Sequence, residues 1–263
     1  MTRASLLRLI LLGGVWRGIA QAQTGFEAGE FRNAKRQRLR YRLFIPENYD
    51  PQIRYPLMLW LHDIVGVGND NHKQTEGSNE SGVDLWIAAE TQSKYPAFVL
   101  APQCPFGSLW VNFLHRTPSR ALLCVLDLLD QLQQDHSIDA DRLYVSGQSL
   151  GAFATWAILA IRPQLFAAAV PVSGGGKPDK AHLFAHVPIW AFHGRLDPIV
   201  PVHESHRMIA ALRRAGGEPL LSEFPTQAHG VRFWKVVFRE AGLADWVFGQ
   251  KRKPPLADRG GTR

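Results

Sequence analysis

A serine flanked by glycines, Gly147-Gln148-Ser149-Leu150-Gly151, stands where the apolar run 142–146 (RLYVS) gives way to the small-residue stretch GAFATWAILA. A serine hydroxyl is a weak nucleophile, so it needs exposure and an adjacent base. A sharp turn from strand to helix provides the exposure, and glycines at 147 and 151 remove side chains that would collide there. Ala152 and Ala154 then allow the helix to lie close to the sheet. The base and its orienting acid are expected downstream, acid before histidine, each in a loop after a later strand. VPIWAFHGRLDPIVP places Asp197 in such a loop, and LLSEFPTQAHGVRFW places His229 a few residues past the next apolar run. In that arrangement Asp197 holds the imidazole in one tautomer, and His229 takes the Ser149 proton and passes it to the leaving group.

Other residues compete for these roles. His193 lies on the strand side of FHG and reads as a satisfied, partly buried histidine. His182 with His186, and His203 with His206, have helical spacing compatible with a metal, but neither pair has a third ligand nearby in sequence. Asp141 precedes Ser149 at the wrong end of its strand and reads as a turn residue. Acyl transfer also requires donors for the oxyanion. One is expected from the N–H of Leu150, the other from the loop after an early strand. Gln148 flanks the nucleophile and has the chemistry to bind either substrate or loop backbone.

The elements that must position these residues are short apolar runs at 39–45, 57–62, 97–101, 142–146, 168–172, 188–193 and 219–224. The later runs are continuous rather than alternating, as in strands covered on both faces. Between them the pattern predicts helices at about 83–91, 118–134, 150–162, 203–215 and 232–248. Alternating strands and helices imply an α/β fold, a mostly parallel sheet with helices on both faces and ligands at the carboxyl ends of the strands. The loop 66–82, GVGNDNHKQTEGSNESG, is polar, so no large apolar lid is expected.

The formal charge of +7 over 263 residues suggests a polyanionic partner until it is located. Residues 1–22 carry three Arg and no acid, the tail 251–263 carries five basic residues against Asp258, and the body between them is balanced. No nucleic-acid partner is expected, and the tail reads as solvated and flexible. Residues 1–22 combine Arg3 and Arg8, the apolar run from Leu9 to Trp16, and Ala20-Gln21-Ala22. This pattern predicts an export signal cleaved near Ala22 and a secreted or periplasmic protein, with 23–250 as the folded domain. Arg17 interrupts the pattern and leaves a retained anchor or a cytosolic start open. The run is far short of the roughly 20 residues of a membrane span. Cys104 and Cys124 are too few for a disulfide scaffold; a single bridge and two free thiols both remain open.

From about Leu39 to Arg252 the sequence resembles the α/β-hydrolase superfamily. Within it, the chain is similar to small secreted carboxylesterases related to polyhydroxybutyrate depolymerases, feruloyl esterases and prolyl-oligopeptidase-type catalytic domains. The resemblance rests on YRLFIPENYDP, YPLMLWLH with GNDN, DRLYVSGQSLGAFATW, PQLFAAAVPVSGGG, FHGRLDPIVPV, QAHG and DWVFGQKR, in that order. It implies Ser149, Asp197 and His229 as a triad that hydrolyses carboxylic esters through an acyl-enzyme with no metal or organic cofactor. It also implies that Trp110 faces the active-site side, either lining the substrate pocket or packing under a loop. The oxyanion loop departs from the group's usual His-Gly-x-Gly: here it is His62-Asp63-Ile64-Val65-Gly66. The N–H groups of Asp63 and Ile64 are the expected donors beside Leu150. An aspartate there raises two concerns, a φ that glycine would tolerate better and a carboxylate that would repel an oxyanion. A slow or selective esterase is one consequence; a non-catalytic ligand-binding descendant is another, and a serine peptidase is open by relationship.

Overall fold

The computed structural model describes residues 25–253. The expected export signal at 1–22 and most of the basic tail lie outside the described residues. In chain order the strands are β1 (Phe26–Arg32), β2 (Arg38–Phe44), β3 (Tyr55–Leu61), β4 (Phe98–Gln103), β5 (Val111–Asn112), β6 (Thr117–Pro118), β7 (Ile138–Gln148), β8 (Ala168–Val172), β9 (Trp190–Gly194) and β10 (Leu220–Phe224). The helices are α1 (Glu80–Ile87), α2 (Ala89–Lys94), α3 (Arg120–Asp135), α4 (Leu150–Ile161), α5 (His203–Arg214), α6 (Val231–Val237) and α7 (Leu243–Phe248). Among the described residues no helix is long and apolar enough to cross a membrane.

Eight strands form one sheet in the order β1-β2-β4-β3-β7-β8-β9-β10, while β5 and β6 make a separate two-stranded ribbon. β1 and β2 run antiparallel to their neighbours, and the rest are parallel from β4 to β10. The residues of β3 show why this sheet is enclosed. Leu57, Leu59 and Leu61 enter one apolar cluster, Met58 and Trp60 enter another, and all five are fully buried. Side chains alternate across a strand, so a continuous apolar run requires cover on both faces. α3, α4 and α5 supply the first cluster, and α1, α6 and α7 the second.

The parallel order brings the carboxyl ends of β3, β7, β9 and β10 to one edge, where the loops after them carry Asp63, Ser149, Asp197 and His229. Two expected helices prove to be divided. The run 83–91 breaks at Ala88, whose ψ of 138° is not helical, and 232–248 breaks between α6 and α7, where Gly242 takes φ 80°. Apolar periodicity continues across both breaks, which is why it does not reveal them. Ser119 caps α3 by accepting the Leu122 N–H at 3.2 Å, placing the helix start just past Pro118.

Candidate active site

Ser149 occupies the turn between β7 and α4 with φ 53° and ψ −116°, a conformation that non-glycine residues rarely adopt. Its N–H donates to Val172 O at 2.9 Å, which pins the turn to β8. A methyl group on Gly151 would overlap the carbonyl oxygen of Leu61, so a glycine is required where the helix start crosses β3. The elbow therefore aims the hydroxyl out of the sheet edge at the expense of local backbone strain.

His229 Nε2 lies 2.9 Å from Ser149 Oγ, and His229 Nδ1 lies 2.6 Å from Asp197 Oδ2. Asp197 Oδ1 is held by the N–H groups of Ile199 and Val200, at 2.9 and 2.8 Å. With Nδ1–H donated to the carboxylate, Nε2 is left to accept the serine proton. Burial pushes the Asp197 carboxyl up, but hydrogen bonds from His193, His229 and Val200 N–H outweigh it and hold the group well below the usual carboxylate range. The indole of Trp234 stands edge-on to the His229 ring at 5.3 Å and limits its rotation. The three residues proposed from sequence are thus brought together in one hydrogen-bonded line.

The second group of expected donors divides. Neither Leu150 N–H, at the first turn of α4, nor Ile64 N–H has a hydrogen-bond partner among the described residues. The Asp63 N–H, expected to face Ser149, instead donates to Asn79 Oδ1 at 3.0 Å, which corrects that expectation. Nor does Asp63 need a glycine's freedom: its φ is −73° and its backbone is extended. Its carboxylate is buried and turned into the loop. It accepts Val65 N–H at 2.9 Å, Gly66 N–H at 3.3 Å, Asn79 Nδ2 at 3.1 Å and Gln148 Nε2 at 3.1 Å. Four donors occupy the charge that the sequence reading expected to repel an oxyanion.

Comparison with known proteins bears on the fold. A model of the Prolyl oligopeptidase family matches residues 124–184 and 176–249. A solved structure described as a thermostable esterase superposes with TM-score 0.81 at 32% identity, covering 86% of this chain and 63% of that one. The chain has the α/β-hydrolase fold. Among curated proteins this α/β-hydrolase chain is 27% identical over 169 residues to a probable feruloyl esterase C of Aspergillus terreus, covering 62% of this chain and 56% of that one. It is also 43% identical over 53 residues to poly(3-hydroxyalkanoate) depolymerase C of Paucimonas lemoignei, 20% of this chain and 13% of that one. The chain thus spans little more than half of the first relative and a small part of the second.

Two expected substrate contacts of this α/β-hydrolase chain are corrected. Trp110 is fully buried and its Nε1–H donates to His62 O at 3.2 Å, so it packs under the loop after β3 and offers a substrate no exposed surface. Gln148 is fully buried too. Its Nε2 faces only acceptors, Asp63 Oδ2, Ser78 O at 2.7 Å and Asn79 Oδ1 at 3.5 Å, which fixes the amide orientation and commits the side chain to the loops. Asn79, which the sequence reading missed, completes this network. No local motif marks it, because its partners Asp63 and Gln148 are 16 and 69 positions away.

His62 braces the same loop from behind. Cys104 N–H donates to its Nε2 at 2.9 Å, so Nδ1 carries the proton and donates to Asp63 O at 2.6 Å. Burial lowers its pKa from 6.5 to about 4, against the raising effect of the Asp63 carbonyl. The folded protein therefore keeps His62 neutral while the unfolded chain protonates it. Stability from this residue is complete above pH 6.5 and is lost as pH falls toward 4, by roughly 3 kcal/mol in all. His62→Gln is expected to remove that part of the acid sensitivity. Urea midpoints at neutral pH and near the lower end of the window would show it as a smaller drop in the variant than in the parent.

Cys104 and Cys124 are both free and buried, and burial pushes their thiols up to about 12 and about 11. His193 is fully buried, with Nε2 2.8 Å from Val200 O and Nδ1 2.7 Å from Ser205 Oγ. Among the described residues no three His, Cys, Asp or Glu side chains are grouped as metal ligands.

Proposed function

We propose that this protein is a serine hydrolase of carboxylic esters that works through an acyl-enzyme. The observation that carries the reading is the line Asp197–His229–Ser149 at 2.6 and 2.9 Å; the N–H groups of Leu150 and Ile64, which have no hydrogen-bond partner among the described residues, are the donors assigned to the oxyanion. His229 takes the Ser149 proton as Oγ attacks the ester carbonyl, and the two N–H groups stabilise the oxyanion. Imidazolium then protonates the departing alcohol, and a water, deprotonated by the same histidine, releases the acid. Short-chain, phenolic and hydroxyalkanoate esters are the substrate classes, by similarity to the relatives named above. The sequence of residues 1–22 further supports export, with 23–250 as the catalytic domain and 251–263 as a basic tail. The non-catalytic alternative drew its support from the Asp63 carboxylate, and that carboxylate is engaged elsewhere.

A fluorophosphonate probe followed by peptide mass mapping tests the proposal. Covalent labelling of Ser149 is expected, together with turnover in a panel of nitrophenyl, feruloyl and 3-hydroxybutyrate esters. Absence of labelling throughout roughly pH 6–9, where an imidazole base is neutral for much of the range, would sink it.

A further inference from the structure

A cavity of about 290 Å³ begins one helical turn beyond Ser149 and follows α4. Phe153 and Trp156 of α4 and Leu183 are among its apolar lining residues. Its charged lining residues are Arg116, Lys177 and Lys180, and no acidic residue lines it. Apolar walls with cations of one sign fit an amphipathic anion.

Arg116 is the most informative of the three. Its guanidinium lies 4.2 Å from the Phe153 ring centroid, and its Nη2 is 3.6 Å from Glu204 Oε1. Glu204 is shared with Arg207 at 3.6 Å and His203 at 3.9 Å, so it does not belong to Arg116 alone. Nη1 of Arg116 is buried and has no hydrogen-bond partner. The Arg116 side chain as a whole is 26% exposed, so it is open to a ligand in the cavity it lines. Arg116 also holds φ 50° at the end of the loop joining β5 to β6, where a glycine would be easier. A helix rises 1.5 Å per residue, so Phe153 and Trp156 stand roughly 6 and 10 Å along α4 from Ser149. Arg116 over the Phe153 ring, and Lys177 in the same lining, therefore lie within reach of one bound ester.

We propose that this cavity binds a carboxylate carried by the ester substrate, through the Arg116 guanidinium with Lys177 in the same lining, and so selects esters with a free acid over neutral ones. The proposal rests on the esterase reading and narrows its substrate class. A hydroxyalkanoate oligomer or a dicarboxylic acid monoester supplies such a group, whereas a simple fatty acyl ester does not.

The test compares nitrophenyl hydrogen suberate with nitrophenyl octanoate, which has the same chain length and no second acid. The native protein is expected to favour the suberate in kcat/KM by about tenfold or more, the gain of one charge-assisted hydrogen bond. Arg116→Met should bring the ratio close to one with octanoate turnover kept within about twofold, and Arg116→Lys should retain part of the preference. A trimer of 3-hydroxybutyrate compared with its methyl ester places the acid on the alcohol side and distinguishes that source from the acyl side. A ratio unchanged by Arg116→Met, or no preference for either acid-bearing substrate in the native protein, would overturn the inference and leave the esterase reading intact. Calorimetric titration of the Ser149→Ala protein with suberate separates the opposite case. Binding that Arg116→Met abolishes upholds the site even if no ester is turned over, and absence of binding counts against it.

Discussion

Asp197→Asn is expected to lower kcat toward any accepted ester by about 10⁴, with little change in KM. The reason lies in how the two carboxylate oxygens are used. Oδ1 accepts two backbone N–H groups, from Ile199 and Val200, so in the variant the amide oxygen must stay there. The amide NH₂ then takes the Oδ2 position, 2.6 Å from His229 Nδ1. A donor facing Nδ1 forces that nitrogen to accept and moves the imidazole proton to Nε2. The base can then no longer take a proton from Ser149. Ser149→Ala should cost about 10⁶ in kcat, and the double variant should be no slower than Ser149→Ala alone, because residues acting as a unit are not additive. Steady-state kinetics on nitrophenyl butyrate would read all three. An Asp197→Asn protein within tenfold of native would remove Asp197 from the proposed machinery.

Asp63→Ala is expected to lose on two measurements at once. Removing the carboxylate leaves Asn79 Nδ2, Gln148 Nε2 and Val65 N–H without that acceptor in a buried site. A loss of about 3 kcal/mol follows, which for a chain of this size lowers Tm by roughly 6–12 °C. The loop that carries Ile64, the proposed oxyanion donor, also loses its cap, so kcat should fall by about 10²–10³, as for removal of one oxyanion donor. Asp63→Gly brings the sequence closer to the His-Gly-x-Gly pattern usual in the group it resembles, yet should be no faster than Asp63→Ala, since the missing anchor is a side chain. Asp63→Asn keeps an acceptor for the loop amides but sets its NH₂ against that of Gln148, and an intermediate loss is expected. Calorimetric Tm values measured beside kcat would check the series. A glycine variant as stable as the parent and faster would show that the carboxylate hinders turnover.

The division between what could be read in advance and what could not follows sequence distance. Ser149, Asp197 and His229 each announce themselves locally: a glycine-flanked serine between strand and helix, and an acid and a histidine just past later apolar runs. Parallel order then collects the loops at one edge, so three local signals assemble without further information. The fate of the Asp63 side chain could not be read this way. Its partner Gln148 is 85 positions away, and an aspartate after a strand looks the same whether its carboxylate meets solvent or four donors. Trp110 is a similar case, since a tryptophan near an active site is apolar enough for either a pocket or a core. β1 escaped notice because most of its residues are exposed, so it forms no apolar run. Gly242, by contrast, was an available sign of the break between α6 and α7.

The Asp63 network also changes when order is imposed on the loop. A glycine-rich oxyanion loop samples many backbone conformations in the unfolded chain and can keep some freedom in the native one. In this chain Asp63, Ile64 and Val65 restrict those conformations through their side chains, and the carboxylate ties the segment to Asn79 and Gln148. The entropy of arranging Ile64, the proposed donor, is thereby lost during folding instead of at the encounter with substrate, which is preorganisation in its thermodynamic sense. Binding to such a site should carry a smaller unfavourable entropy than binding to a glycine loop, and amide hydrogen exchange at Val65 and Gly66 should be as slow before a ligand arrives as after.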